Sequence, residues 1–490
     1  MKTRYNKMGI KLFILSLICV MGCKKFVTVE TPVTQVSTES AFKSDNTAAA
    51  VLTGILAQMS NSYINNNNIG ATSFLAELSA DNLVLYDEES RPELSMWYFN
   101  ALDPTYSASF DNTYWRTVYT MMFTINSSIE MLSNNTVLTP SVRQRLIGEA
   151  YFLRGFCYFY LVNLYGDVPL VLTSKYVNNS RIARSSSSEV YKQISSDLAR
   201  AQDLLDNRYL SADAIQSSAN RLRPNLSAVY ALQARVFLYQ KDYVAAENAA
   251  SMVIAQSGMY ALTDLSSTFL ANSSETIWAL QSVNIGYNTW EGQIYTLPTD
   301  GPDYDRPSYL SESLMKSFEP GDDRKNEWIG NVTVGIKTYP FSAKYKVPYT
   351  EGSQDVTEYN IVLRLSEQYL IRAEARNETG NFSGAIEDLN RLRTRSRGDQ
   401  TIDIPNPLPN LSSSLSQNQI RAILQNERRV ELFTEWGQRW FDIKRSGAID
   451  AIMTEAQKYK GGQWVNSQSL YPIPVSEILL NPSLTQNKGY

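Results

Sequence analysis

The chain has 490 residues, 43% of them apolar and 19% charged, the proportions of an ordinary folded body rather than a disordered or multi-spanning one. Its 45 basic and 49 acidic residues leave a formal charge of −4, which gives nucleic acid no electrostatic hold. Histidine is absent, and with it go Ser-His-Asp and Cys-His nucleophiles and His-ligated zinc hydrolases, each of which needs an imidazole.

The N-terminus carries an address. Lys2, Arg4, Lys7 and Lys11 surround the start of an apolar run, Leu12 to Met21, that ends at Gly22 and Cys23. Such a run is too short to span a bilayer, which takes ~20 helical residues, and has the layout of a secretory leader. Val20-Met21-Gly22-Cys23 resembles a bacterial lipobox. That resemblance implies a signal peptide over 1–22 and a lipid-anchored Cys23. One other cysteine, Cys157, then remains, so no intrachain disulfide is expected. Its setting in Tyr151-Phe152-Leu153-Arg154-Gly155-Phe156-Cys157-Tyr158-Phe159 reads as a small buried hydrophobe. Residues 23–40, rich in Thr and Val with Pro32, read as an extended tether.

Helical periodicity dominates the body. Val190, Ile194, Leu198, Ala201 and Leu205 fall on one helix face, as do Val229, Leu232, Val236 and Tyr239, and Val362, Leu365, Tyr369 and Ala373. Two segments match: Tyr230-Ala231-Leu232-Gln233-Ala234-Arg235 aligns with Tyr369-Leu370-Ile371-Arg372-Ala373-Glu374, then Tyr243 with Phe382 and Ala246 with Ala385. Between them, Gln240-Lys241-Asp242 and Thr379-Gly380-Asn381 are turn chemistry. The pattern resembles tetratricopeptide helix pairs, and a third pair is expected over 142–165 and 188–205 with an insertion between. From about Leu265 to Asn360 the periodicity fades, and Gly, Pro, Asp and Tyr rise around strand-like runs such as Thr276 to Leu280. A long, aromatic, loop-rich stretch on a helical scaffold points to function. The expected organisation is a helical part over 41–264, a loop-rich ligand-binding region over 265–360 and a second helical part over 361–490.

Four stretches together carry a family resemblance. They are Glu149-Ala150-Tyr151-Phe152-Leu153-Arg154-Gly155 running into Leu164-Tyr165-Gly166-Asp167-Val168-Pro169-Leu170; Leu363 to Ala375; Glu427-Arg428-Arg429-Val430-Glu431-Leu432 with Gly437 to Arg445; and Tyr471-Pro472-Ile473-Pro474 with Asn481-Pro482 and Gln486 to Tyr490. With the lipobox they resemble the SusD/RagB family of outer-membrane nutrient-binding lipoproteins. The resemblance implies an all-α dominated fold in which tetratricopeptide-like pairs form a scaffold and a loop-rich region with short strands holds the ligand. It also implies an outer-membrane, cell-surface location and a SusC-like TonB-dependent transporter as partner. It implies no enzyme activity and no cofactor.

The charged motifs read as structure. Glu427, Glu431 and Glu435, with Asp442, could serve acid–base hydrolysis of a glycoside, but their i, i+4 spacing among arginines is also that of an ion-pair network. Arg391, Arg393, Arg395 and Arg397 close a helix, where cations suit the dipole, and Asp322-Asp323-Arg324 reads as a turn, not a metal site. The aromatics are more telling. Tyrosine, at 30 residues, outnumbers Phe and Trp together, and Tyr and Trp suit surfaces that recognise both the apolar face and the hydroxyls of a sugar. Trp115, Tyr119 and Asn126 read as scaffold, and Trp278 and Trp440 as buried. Tyr287 and Trp290 in a glycine-flanked loop, and Tyr304 and Tyr309 in Asp303-Tyr304-Asp305-Arg306-Pro307-Ser308-Tyr309, are candidate oligosaccharide contacts. Trp97, Tyr98 and Asn100 join them, since they resemble the sugar-contacting loop of characterised family members. The expected function is non-catalytic glycan capture; peptide or another nutrient is the alternative, and a lipid-anchored glycoside hydrolase a lesser one.

Overall fold

The computed structural model describes residues 38–60, 71–105 and 110–490; Cys23, the leader and most of the tether lie outside them. Thr38–Ala41 is a helical turn, so the extended reading fails for the tether's last residues. Helix α1 (Asp45–Ser60) buries Ala48, Leu52, Ile55 and Met59, and α2 (Thr72–Ser79) is buried along its whole length. Strand β1 (Leu83–Leu85) and α3 (Pro92–Tyr98) follow, then α4 (Phe110–Ser133) and α5 (Pro140–Tyr165). The expected insertion is the two-residue pairing of β2 (Val168–Pro169) with β3 (Arg184–Ser185). A Ser186/Glu189 capping box then starts α6 (Ser187–Leu204), which returns along α5. Gly148 lets the two approach: a Cβ there would lie 2.7 Å from Leu205 Cδ2.

Helices α7 (Leu226–Tyr239) and α8 (Tyr243–Ile254) form the next pair. The loop-rich region contributes β4 (Thr276–Leu280), α9 (Trp290–Tyr295), β5 (Ser308–Leu310), the hairpin β6 (Ile329–Val334) and β7 (Lys337–Ser342), and β8 (Asn360–Arg364). β4 pairs antiparallel with β8, and β5 with the distant β1, Val84 opposite Tyr309. Helices α10 (Leu365–Glu378) and α11 (Phe382–Arg395) make the third pair, followed by α12 (Gln417–Leu432), α13 (Gln438–Arg445) and α14 (Ile449–Lys460).

The matched segments do fold alike. Asp242 accepts from Ala245 N at 3.1 Å and Asn381 from Gly384 N at 3.0 Å, so each turn residue caps the second helix of its pair. Ala234, Ala246, Ala249, Ala250 and Ala375 then interleave with Leu238 and Ile371, and these small side chains bring α7, α8 and α10 close enough to stack. Trp115, Asn126, Trp278 and Trp440 are all buried, as expected of scaffold. The main apolar core runs continuously from Phe42 to Leu484 and includes Cys157. Burial pushes the Cys157 thiol up to about 12, so almost none is thiolate at neutral pH. Native protein is expected to leave Cys157 unlabelled by iodoacetamide, with modification only after denaturation; rapid native labelling, read by peptide mass mapping, would contradict this burial.

The charged motifs meet in the interior. Arg324 lies between Asp322 (2.7 Å), Glu427 (2.6 Å) and Glu431 (2.8 Å), and Arg395 bridges Glu275 (2.6 Å) and Glu431 (2.5 Å). Arg393 holds Glu319, and Arg364 and Lys344 hold Glu435. Two sequence readings are refined by this. Arg395, and Arg393 through a 3.3 Å contact with Glu427, neutralise buried carboxylates rather than simply ending a helix, and Glu435 lies beyond α12, whose helix stops at Leu432.

Candidate functional site

Period-two alternation builds the first half of the site. In β5, Ser308 and Leu310 point into the core, which turns Tyr309 outward. Tyr339 and Lys337, two apart on β7, face it: the Tyr309 and Tyr339 rings meet edge-on at 5.1 Å, and Lys337 Nζ lies 5.1 and 4.8 Å from their centroids. Tyr86, just past β1 and 47% exposed, joins Tyr339 at 5.8 Å, and its backbone N donates to Pro307 O at 2.7 Å. Tyr304 crowns the adjacent turn, 62% exposed. Asp303 shapes that turn, its Oδ1 accepting from the backbone N of Asp305 (3.0 Å) and Arg306 (2.7 Å). The buried Arg91 holds the ring from behind, its guanidinium 4.2 Å from the Tyr304 centroid and Nη1 donating to Tyr304 O at 2.5 Å.

The second half lies on the loop leading into α9. Gly286, at φ 88°, accepts a backbone bond from Thr350 N at 2.8 Å and donates one to Ser353 O at 2.9 Å. A Cβ there would strike the Tyr349 ring at 2.5 Å, so glycine is needed both for the backbone and for the ring that covers it. Tyr287 packs against Tyr349 at 4.7 Å, Tyr349 being 44% exposed. Asn288 pins the loop from below, accepting from Thr357 N and Glu358 N at 2.6 and 2.9 Å. Thr289 caps α9, leaving Trp290 half-buried at its first position. Burial, then Tyr349, then the Asp305 charge raise the Tyr287 phenol above its ordinary range.

Three expected contacts do not belong to this face. Trp97 and Tyr98 are 2% and 0% exposed, and Asn100 5%. Pro92 starts a helix where a loop was expected, and that helix turns Leu94, Trp97 and Tyr98 inward. Trp97 stacks edge-on against Tyr471 at 4.6 Å, Lys460 Nζ lies 4.7 Å from the Tyr98 ring, and Asn100 Nδ2 donates to Ser79 O at 3.0 Å. The cavities beside them hold only about 10 Å³, no room for a sugar. Of the other candidates, Tyr304 is exposed and Tyr309 partly so in the first half, while Tyr287 is partly exposed and Trp290 half-buried against the main core in the second.

Residues 34–238 match a family model described as "Starch-binding associating with outer membrane", and residues 277–490 match the "SusD family" model. The chain belongs to the SusD/RagB family. Among SusD-like relatives, SusD-like protein P2 of Formosa agariphila is 26% identical, over 98% of this chain and 99% of that protein. The starch-binding protein SusD of Bacteroides thetaiotaomicron is 24% identical, over 79% and 80%. Surface glycan-binding protein A from Bacteroides fluxus shares the SusD fold, with a TM-score of 0.73 at 21% identity over 91% and 99% of the two chains.

Sequence reasoning overlooked Tyr86 and Tyr349 on this face and Tyr339 buried beneath it. Each carried a faint signal: Tyr86 follows the strand-like Leu83-Val84-Leu85, Tyr339 alternates with Lys337, and Tyr349 stands in the turn-rich Pro348-Tyr349-Thr350-Glu351-Gly352. Among the described residues no group of His, Cys, Asp or Glu is arranged to hold a metal, and no helix is long and apolar enough to cross a membrane.

Proposed function

We propose that this SusD-type chain is a non-catalytic glycan-binding lipoprotein of the outer membrane. It captures oligosaccharide at the cell surface and delivers it to a SusC-like TonB-dependent transporter. The observation that carries the reading is the set of surface rings, with Tyr86, Tyr304 and Tyr349 exposed and Tyr287, Trp290 and Tyr309 partly so. A pyranose offers a patch of axial C–H groups to a ring face and hydroxyls to the phenol edge and to carboxylates such as Asp303 and Asp305. Tyrosine serves both demands in one side chain. The relatives' printed names, starch-binding and glycan-binding, favour sugar over peptide.

Binding without cleavage fits the carboxylates. Glycoside hydrolysis needs two carboxyl groups flanking the scissile bond in a cleft. Glu427, Glu431, Glu435 and Asp442 are instead engaged by arginine or lysine inside the fold. Acylation of Cys23 would confine the protein to the plane of the transporter and raise their effective concentration for each other. Calorimetry of the full chain in detergent against a panel of glycans and peptides tests the reading. At least one glycan class is expected to bind reversibly and be recovered intact. Binding confined to peptides, or cleavage of a bound glycan, overturns it.

A further inference from the structure

Apart from the aromatic face, one side of α4 stays open along much of its length. Arg116, Thr120, Phe123 and Glu130 follow one another at intervals of four, three and seven, so they share a helix face. From Arg116 to Glu130 that face runs about 21 Å. Its middle is apolar, with Phe123 51% exposed.

Segments at both ends of this stripe raise further apolar side chains into water. At one end Arg116 meets Glu477 at 3.7 Å, in the last helical turn of the chain, Val475–Leu480, where Leu479 and Leu480 are 79% and 75% exposed. At the other end Glu130 accepts from Ser174 N at 2.8 Å and holds the insertion between β2 and β3, where Tyr176 and Val177 are 80% and 83% exposed. The two flanks are tied together, since Asn481 Nδ2 donates to Ile182 O at 2.8 Å. Five large apolar side chains on three joined segments form a patch of the kind that marks a membrane or protein contact.

The position of the anchor decides between the two. The first described residues lie at the Glu130 end of α4: Asn135 Nδ2, just past the helix, donates at 2.9 Å to the carbonyl of Phe42, which follows the turn Thr38–Ala41. Cys23, the expected lipid attachment, precedes Thr38 by 15 residues (38 − 23), a reach of no more than about 54 Å. The end of α4 that carries Tyr176 and Val177 is therefore also the end held to the bilayer. The charges suit a phosphate headgroup layer. Lys43, Lys175 and Arg181 are exposed on this side and outweigh the exposed Glu39. Glu130 is engaged by Ser174, Asp45 by Thr139 N at 2.9 Å and Glu477 by Arg116. Long cationic side chains reach headgroups while their stems lie on apolar surface, and tyrosine suits the boundary between acyl chains and water. We infer that the α4 face lies on the lipid surface of the membrane that anchors the chain, with Tyr176, Val177, Leu479 and Leu480 at the acyl boundary. The inference rests on the proposed acylation of Cys23 and adds to it a fixed orientation of the body.

The test reconstitutes the full chain into vesicles of phosphatidylethanolamine and phosphatidylglycerol, with an environment-sensitive fluorophore attached to a Val177→Cys variant. Cys157 is buried and Cys23 is expected to carry lipid, so the label is specific to position 177. Quenchers carried on the lipid acyl chains are expected to quench this label. They are expected to spare one on Ile402→Cys, an exposed position outside the face. Adding Tyr176→Ser, Leu479→Ser and Leu480→Ser is expected to abolish the quenching with unfolding temperature unchanged, because all three side chains are exposed. Quenching that survives the three substitutions overturns the inference. So does shielding of position 177 that appears only with a transporter present or at high protein concentration, which would assign the face to a protein partner or a second copy. Mass spectrometry of the Cys23 peptide separates the two readings. A chain without acyl groups overturns the lipoprotein reading and this inference together, whereas an acylated chain whose label stays in water overturns this inference alone.

Discussion

Replacing Arg364 by methionine is expected to destabilise the protein by about 3–5 kcal/mol, a large share of the 5–15 kcal/mol that holds a typical domain together. Arg364 is 2% exposed. It gives Nε and Nη2 to Glu435 at 2.7 and 2.9 Å, Nη1 to Glu431 at 2.7 Å and Nη2 also to the Glu431 carbonyl at 2.8 Å. The methionine side chain fills the volume, but two buried carboxylates lose their shared cation. That remainder, not the pair's net worth, sets the size of the effect. The same network gives the stability a pH signature. Burial pushes the Glu431 carboxyl up, yet Arg395, Arg364 and Arg324 outweigh it and hold the group well below its usual range; Glu435 is lowered in the same way. A carboxyl lowered in the folded state contributes stability above its unfolded value, ~4.3 for Glu, and loses it as pH falls through the folded value. Wild-type stability should therefore decline below about pH 4, and less of that decline should remain in Arg364→Met. Denaturant midpoints at pH 7 and pH 3.5 check both statements. A loss under 1 kcal/mol at pH 7 would show that the network relaxes around the vacancy.

Tyr304→Ala and Tyr287→Ala are each expected to weaken glycan binding by about 10-fold, the cost of removing one aromatic anchor at an interface centre, and together by about 100-fold or less. Tyr304 is 62% exposed, so its removal should leave the unfolding temperature in place. The double variant carries more information than either single. If the Tyr304 turn and the Gly286 loop grip one ligand, the losses will not add, because a ligand freed at one end reorganises at the other. Additive losses would indicate independent subsites. Unchanged affinity in both singles would remove the face from sugar recognition. Calorimetry with the glycan found in the panel gives all four corners of the cycle.

The helical pairs were legible because their signals are local. Turn residues Asp242 and Asn381 sit beside the helices they cap, and the alanines that let α7, α8 and α10 stack repeat within each segment. The burial of Trp278 and Cys157 was likewise readable from continuous apolar surroundings. Trp97 and Tyr98 were expected at the surface because their segment resembles the sugar-contacting loop of characterised family members. What buries them is Tyr471 and Lys460, which approach from the far end of the chain and leave no trace in the local sequence.

The aromatic face shows the same division. That Tyr304 and Tyr287 stand in turns is a matter of Asp303 and Gly286, short-range chemistry that any window of a few residues contains. That Arg91 backs Tyr304 from 213 residues away, or that β1 pairs with β5 so that Tyr86 and Tyr309 share a surface, is decided only when the core closes. Composition and periodicity alone determined the helical class, the absence of imidazole chemistry and the repeat. Tertiary structure alone decided which rings meet water and which stay in the core, because exposure depends on contacts between segments that the sequence does not place side by side.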